Sequence, residues 1–119
     1  LYNLNHLALG HNSDDLASTF FLNLFQCGRV DGLAIDESFF QEQLTVIRPL
    51  LWLEKKTITK AARAWDLPIW KNPCPSAGSS RRAEITNLLN ALYKSDRHLK
   101  QNVFNALRRR ELDLSQKKS

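Results

Sequence analysis

The stretch from Leu7 to Phe25 constrains the fold more than any other part of the chain. Asn5-His6-Leu7-Ala8-Leu9 is short, mostly apolar and closed by Gly10, the pattern of a buried strand in a parallel sheet rather than of an alternating, half-exposed one. Directly after it, Asn12 or Ser13 can cap a helix, and Asp14 and Asp15 fall in its first turn, where negative charge is favoured. Leu16, Phe20 and Leu24 recur every four residues, Phe21 and Phe25 widen the apolar stripe, and Gly28 is a natural C-terminal stop. A strand that feeds a helix in this way is half of a βαβ unit, so the fold class expected is α/β, a Rossmann-like parallel sheet with helices.

In open α/β sheets, ligands bind in the crevice at the C-terminal ends of the strands, which is where Gly10-His11-Asn12-Ser13-Asp14-Asp15 falls. Backbone N–H groups at the start of the following helix can face a phosphate. Nucleotide chemistry also needs carboxylates for magnesium and a group that orients the nucleotide, and Asp14, Asp15 and His11 are of those types. Spacing alone leaves a bland alternative standing, in which both Asp residues complement the helix dipole and His11 packs.

Farther along, Arg29 to Gln43 reads as a surface excursion with turns at Asp31-Gly32 and Asp36-Glu37-Ser38. Leu44 to Arg48 reads as a second strand stopped by Pro49. A helix from about Glu54 to Trp65 follows, with Ile58, Ala61, Ala62 and Trp65 on one face. Residues 71–80, with Pro73 and Pro75 on either side of Cys74 and Gly78 near the end, form a loop. Two amphipathic helices close the chain. One, about Arg81 to Tyr93, buries Ile85, Leu88, Leu89 and Leu92; the other, about Asp96 to Arg110, is capped by Ser95 and buries Leu99, Val103, Phe104 and Leu107, with a frayed end from Glu111 on. The organisation expected is an α/β part over 1–70, the Cys-containing loop over 71–80 and a basic helical region over 81–119.

Charge is unevenly spread: residues 1–59 hold 4 Lys/Arg against 7 Asp/Glu, whereas residues 60–119 hold 13 against 5. A basic second half fits a polyanion such as RNA, and Arg81, Arg82, Arg97, Lys100, Arg108, Arg109 and Arg110 are the candidate contacts; a solvated helix face is the alternative. No apolar run approaches the roughly 20 residues that cross a bilayer, so a cytoplasmic protein with no membrane partner is expected. Cys27 and Cys74 do not suggest a disulfide framework; Cys27 is expected to pack on its helix. Trp52, Trp65 and Trp70 are expected in the core, and His6 and His98 to be solvated or satisfied by neighbouring groups. The sequence holds no Met and a strand begins within a few residues of Leu1, so the expectation is that part of the protein lies upstream.

The run Leu9-Gly10-His11-Asn12-Ser13-Asp14-Asp15, followed by Thr19 to Phe25 and Gly28, resembles the G-H-x-x-D-D helix of PP-loop ATPases, the N-type ATP pyrophosphatases. Within that group the chain is most similar to tRNA 2-thiocytidine synthetases. Val46-Ile47-Arg48-Pro49-Leu50, Leu67-Pro68-Ile69, the Pro73-Cys74 loop and Asn102 to Leu107 match in the same order.

The resemblance implies an adenine-nucleotide α-hydrolase-like fold and an enzyme that adenylates a tRNA base carbonyl with ATP and then replaces the oxygen with sulfur. Its implied cofactors are ATP with magnesium and a 4Fe-4S cluster on three cysteines; its partners are tRNA and a sulfur donor system, with a homodimer left open. On that resemblance Gly10, His11, Asp14 and Asp15 are nucleotide-site residues, Asp15 is the catalytic candidate, and Cys74 is a cluster ligand. The 119 residues contain neither S-G-G-x-D-S nor C-x-x-C, so the chain by itself is expected to be inactive. Two alternatives stand beside this reading: a tRNA lysidine synthetase or other PP-loop ATPase, which needs no cluster, and a small basic RNA-binding helical module without catalysis.

Overall fold

Leu44-Thr45-Val46-Ile47 is rich in β-branched residues, and this strand organises the sheet. In the computed structural model, which describes residues 5–68 and 81–117, the strand order is β1 (His6–Ala8), β3 (Leu44–Ile47), β2 (Asp36–Phe39). β1 and β3 run parallel, with Leu7 opposite Val46. That pairing needs a crossover, which α1 (Ser13–Leu22) supplies.

The turn expected at Asp36-Glu37-Ser38 is instead strand β2, antiparallel to β3, with Glu37 opposite Val46. A polar strand is stable there because it forms the sheet edge, where charged side chains face water. The sheet is therefore mixed rather than wholly parallel. The β2–β3 connection carries three consecutive residues in left-handed backbone, Phe40, Gln41 and Glu42, with φ of 56°, 57° and 70°. β1 is less covered than its composition suggests: among the described residues it pairs on one side only, and Leu7 is 47% exposed.

α1 begins as its sequence dictates. Asn12 accepts from the Asp15 N–H, and the Asp15 carboxylate accepts from the Asn12 N–H, a reciprocal capping box. The helix continues as one π-helical turn, Asn23–Cys27, and stops at Gly28 with φ +64°, a conformation that glycine adopts without strain. α2 (Lys55–Ala64) ends in a left-handed Asp66, φ 55°; the Asp66 N–H donates to Arg63 and the Leu67 N–H to Ala62, a Schellman closure. α3 spans Arg81–Ser95 and α4 Arg97–Lys117. Asp96, not Ser95, caps α4 through its side chain on the His98 N–H, while the Ser95 hydroxyl turns back to Leu92.

One core lies between α1, α3, α4 and the turn after β3: Leu16, Ala17, Leu51, Ile85, Leu89, Phe104 and Leu107. Leu51 has no solvent exposure. Leu33, Ile35 and Trp52 pack against the edge of this cluster, so the excursion after Gly28 contributes apolar cover. α4 does not fray at Glu111. That residue is 5% exposed, and its carboxylate accepts from Arg110 and lies 3.3 Å from the position a Cβ on Gly32 would take.

Several expected core residues lie outside it. Leu88 and Leu92 are 48% and 46% exposed because only the Ile85–Leu89 edge of α3 meets α1. Trp65 is 73% exposed at the end of α2, a helix with no fully buried residue, and Cys27 is a free, exposed thiol rather than a packing residue. Trp70 and Cys74 lie outside the described residues. Among the described residues no helix is long and apolar enough to cross a membrane.

Candidate functional site

Because β1 and β3 are parallel, their C-terminal ends open on the same edge, and His11 and Arg48 meet there. The Arg48 side chain, 9% exposed, ties this corner together. Its Nε donates to His11 Nδ1 at 3.1 Å, and its Nη1 donates to the Ala34 carbonyl at 2.8 Å and the Glu37 carboxylate at 2.6 Å. A ring nitrogen that accepts from a guanidinium carries no proton, so the His11 N–H is on Nε2. Sequence reading missed this role. The available signal was a cation embedded in the apolar run from Leu44 to Leu53, which was read only as the end of a strand.

The turn between β3 and α2 is fastened to the start of α1. Ser13 donates its N–H to the Leu53 carbonyl at 2.8 Å and its hydroxyl to the Leu51 carbonyl at 2.8 Å. The Asp14 carboxylate accepts from the Lys55 N–H at 2.8 Å. These bonds and the capping box occupy the N–H groups of Asn12, Ser13 and Asp15, which the sequence reading had available for a phosphate. At this helix start, carboxylate oxygens rather than those amides remain for a ligand: among the described residues Asp15 commits only Oδ2, and Asp14 only Oδ1.

The two acidic residues face different spaces. Asp15 lines a cavity of about 420 Å³ with His11, Thr19, Leu33 and Arg82. Arg82 is held at its wall by Ser18 Oγ at 3.1 Å and Thr19 Oγ1 at 2.8 Å, from the same Nη1. Asp14 lies on the other side, against Tyr93 and against the lysines of α2. Burial, and secondarily the Asp14 charge, push the Tyr93 hydroxyl up to about 12; its oxygen is buried without a partner among the described residues, beside a small cavity of about 30 Å³. Gly10 is exposed at the strand end, and a Cβ there would meet nothing within 4 Å, so the approach to the corner is open.

The seven basic candidates divide as well. Arg97 and Arg109 are exposed. Arg81 donates to Gln26 and Arg82 belongs to the cavity wall. Arg110 is bound into the fold, donating to the Val30 carbonyl at 2.7 Å and to Glu111 at 2.8 Å, with its guanidinium 5.6 Å from the centre of the Phe20 ring. Arg108 is half-buried, and Lys100 pairs with Glu54 at 3.4 Å. Among the described residues no three His, Cys, Asp or Glu side chains converge as a metal site. Magnesium keeps several waters and phosphate oxygens and needs only one or two protein carboxylates, so the free Asp15 oxygen in the cavity suits it.

Residues 2–92 match the family described as PP-loop domain. The chain is 36% identical over 105 residues to a tRNA-cytidine(32) 2-sulfurtransferase of Cupriavidus necator, covering 87% of this chain and 33% of that protein. It is 40% identical over 84 residues to the protein of that name in a Psychrobacter species, covering 70% and 23%. With the one in Geotalea uraniireducens it shares 34% over 108 residues, covering 89% and 43%. The chain thus spans about a third of the length of the first of these relatives.

Proposed function

This chain belongs to the PP-loop domain family, and we propose that it supplies one wall of the ATP site in a tRNA-cytidine 2-sulfurtransferase. The observation that carries the proposal is the cavity in which His11, Asp15, Thr19 and Arg82 converge at the C-terminal ends of two parallel strands. It joins a carboxylate for a hydrated cation, a cation for phosphate and a histidine of fixed orientation in one space large enough for a nucleotide base or its phosphates.

Each residue has a part in the reaction. The free oxygen of Asp15 would hold magnesium, which would supply neutralisation of charge on the ATP phosphates. Arg82, oriented by Ser18 and Thr19, pairs with a phosphate oxygen. His11 presents its Nε2–H to the nucleotide, held there by Arg48. The cytidine carbonyl oxygen attacks the α-phosphorus of ATP and the bond to pyrophosphate breaks; sulfide-level sulfur from a donor system then forms its bond to the base carbon as AMP leaves with the oxygen. Asp14 stays outside the cavity, so its part is to fix the α1–α2 corner. The 4Fe-4S cluster implied by the resemblance would take Cys74; the described residues add no ligand to it, and no step here is routed through it.

The test is tRNA-dependent pyrophosphate release, with 2-thiocytidine measured by nucleoside mass spectrometry, in a protein of the relatives' full length that carries these residues. Asp15→Asn should reduce both at least a hundredfold; retained activity would remove Asp15 from the site.

A further inference from the structure

α2 begins with Lys55 and Lys56 and carries no acidic residue in its first turn, so two cations sit where the helix dipole disfavours them. Lys60 follows Lys56 by four residues and Arg63 follows Lys60 by three, which puts like charges on adjacent turns of one face. Each of these local choices disfavours the isolated helix. Among the described residues none of the four makes an ion pair. They are not scattered: with Lys100 of α4, Thr59 and Asp14 they line a single open groove of about 630 Å³. Five cations and one carboxylate therefore share one surface, and Lys100 is held at its rim by Glu54.

We infer that this groove is an RNA-backbone track that leads the substrate to the nucleotide corner, an inference that rests on the tRNA-modifying reading above. The cations from Lys56 to Arg63 extend along about 10 Å of helix axis, so they can meet more than one phosphate in succession. Thr59 adds a hydroxyl at the centre of the row, suited to a phosphate or ribose oxygen. Asp14 closes one end of the groove with negative charge, while Asp15, its neighbour in the chain, lines the nucleotide cavity; RNA following the cations is thus brought to the wall that separates them. Charge repulsion unfavourable to the free helix becomes attraction once the phosphates are in place.

The test uses this chain, a fluorescent tRNA transcript and no ATP. Binding is measured across a salt series for wild type, for Lys56→Ala with Lys60→Ala, and for the charge-matched pair Arg29→Ala with Lys94→Ala. Alanine at exposed helix positions preserves α2, which circular dichroism verifies. The groove pair should flatten the log-affinity against log-salt slope by about 1.5 to 2 units, and the control pair by less than half of that. Equal effects of the two pairs overturn the groove, as does a wild-type chain with no measurable tRNA affinity. A parallel titration with Mg-ATP decides the other occupant: if the groove pair weakens ATP and leaves the tRNA slope unchanged, the groove is a triphosphate subsite and the inference is wrong. The readout is independent of thiolation, so loss of the enzymatic reading through Asp15→Asn leaves this result standing, and the reverse.

Discussion

Replacing Arg48 by Met should destabilise the chain by about 2–3 kcal/mol, a figure that follows from what the guanidinium holds. Methionine keeps the length of the apolar stem but none of the three hydrogen bonds. The Glu37 carboxylate is 34% exposed and can rehydrate, so its ion pair, although 2.6 Å long, contributes at most about 1 kcal/mol. The Ala34 carbonyl and His11 Nδ1 are less free to find water, and leaving such acceptors unpaired costs about 1–3 kcal/mol. Against this stands a gain, because the mutant no longer desolvates a guanidinium. For a chain of this size the net loss corresponds to a fall of roughly 8–12 °C in Tm. Urea denaturation followed by circular dichroism gives the free energy, and a double-mutant cycle with Glu37→Gln isolates the ion pair, for which a coupling of about 1 kcal/mol or less is expected. Nitrogen-15 spectra of His11 give a second reading: the wild type should hold its proton on Nε2. A loss below about 0.5 kcal/mol, or a wild-type His11 protonated on Nδ1, would refute the role of Arg48 as the tie of the corner.

Two further outcomes follow from backbone and burial. Asp66→Gly should stabilise the chain by about 0.5–1 kcal/mol, because the left-handed residue that closes α2 gains a conformation natural to glycine; chemical denaturation is the measure, and a destabilisation would mean that the Asp66 side chain has a role of its own. Tyr93 is held protonated in the fold up to about 12 against 10 in the unfolded chain, so its contribution is complete below pH 10 and is lost as pH rises towards 12; Tyr93→Phe should remove that part of the alkaline decline in a pH series of denaturation curves, and an identical decline in the variant would assign it elsewhere.

The capped start of α1 and the strand Leu44–Ile47 were legible because both are local: Asn12 to Asp15 spans one helical turn, and the β-branched run needs no partner to be read. Strand β2 was not legible, because Asp36-Glu37-Ser38 looks like a turn until β3 is beside it. The basic groove was hidden by tallying charge in halves. A division after residue 59 places Lys55 and Lys56 in an acidic half and Lys60 and Arg63 in a basic one, although they share one helix face. The parting of Asp14 from Asp15 was equally out of reach, since adjacent helical residues differ by about 100° in direction and what lies along each direction is decided by α2, α3 and α4. The continuation of α4 past Arg110 depends on Glu111 finding a buried place near Gly32, roughly eighty residues away in sequence, and no local propensity reports that.

The bonds from Ser13 to Leu51 and Leu53, and from Asp14 to Lys55, have a kinetic meaning. The amide protons of Ser13 and Lys55 lie on segments about forty residues apart, yet each is sealed by the other segment. Ser13 is buried, so its amide reaches solvent only when the corner between α1 and α2 parts, whereas Lys55 is exposed and a turn of the Asp14 side chain frees its amide. In hydrogen exchange Ser13 should therefore be the slower of the two and report the opening of the corner. The clock of that event would also be the clock on which Asp14 and the row of lysines come apart.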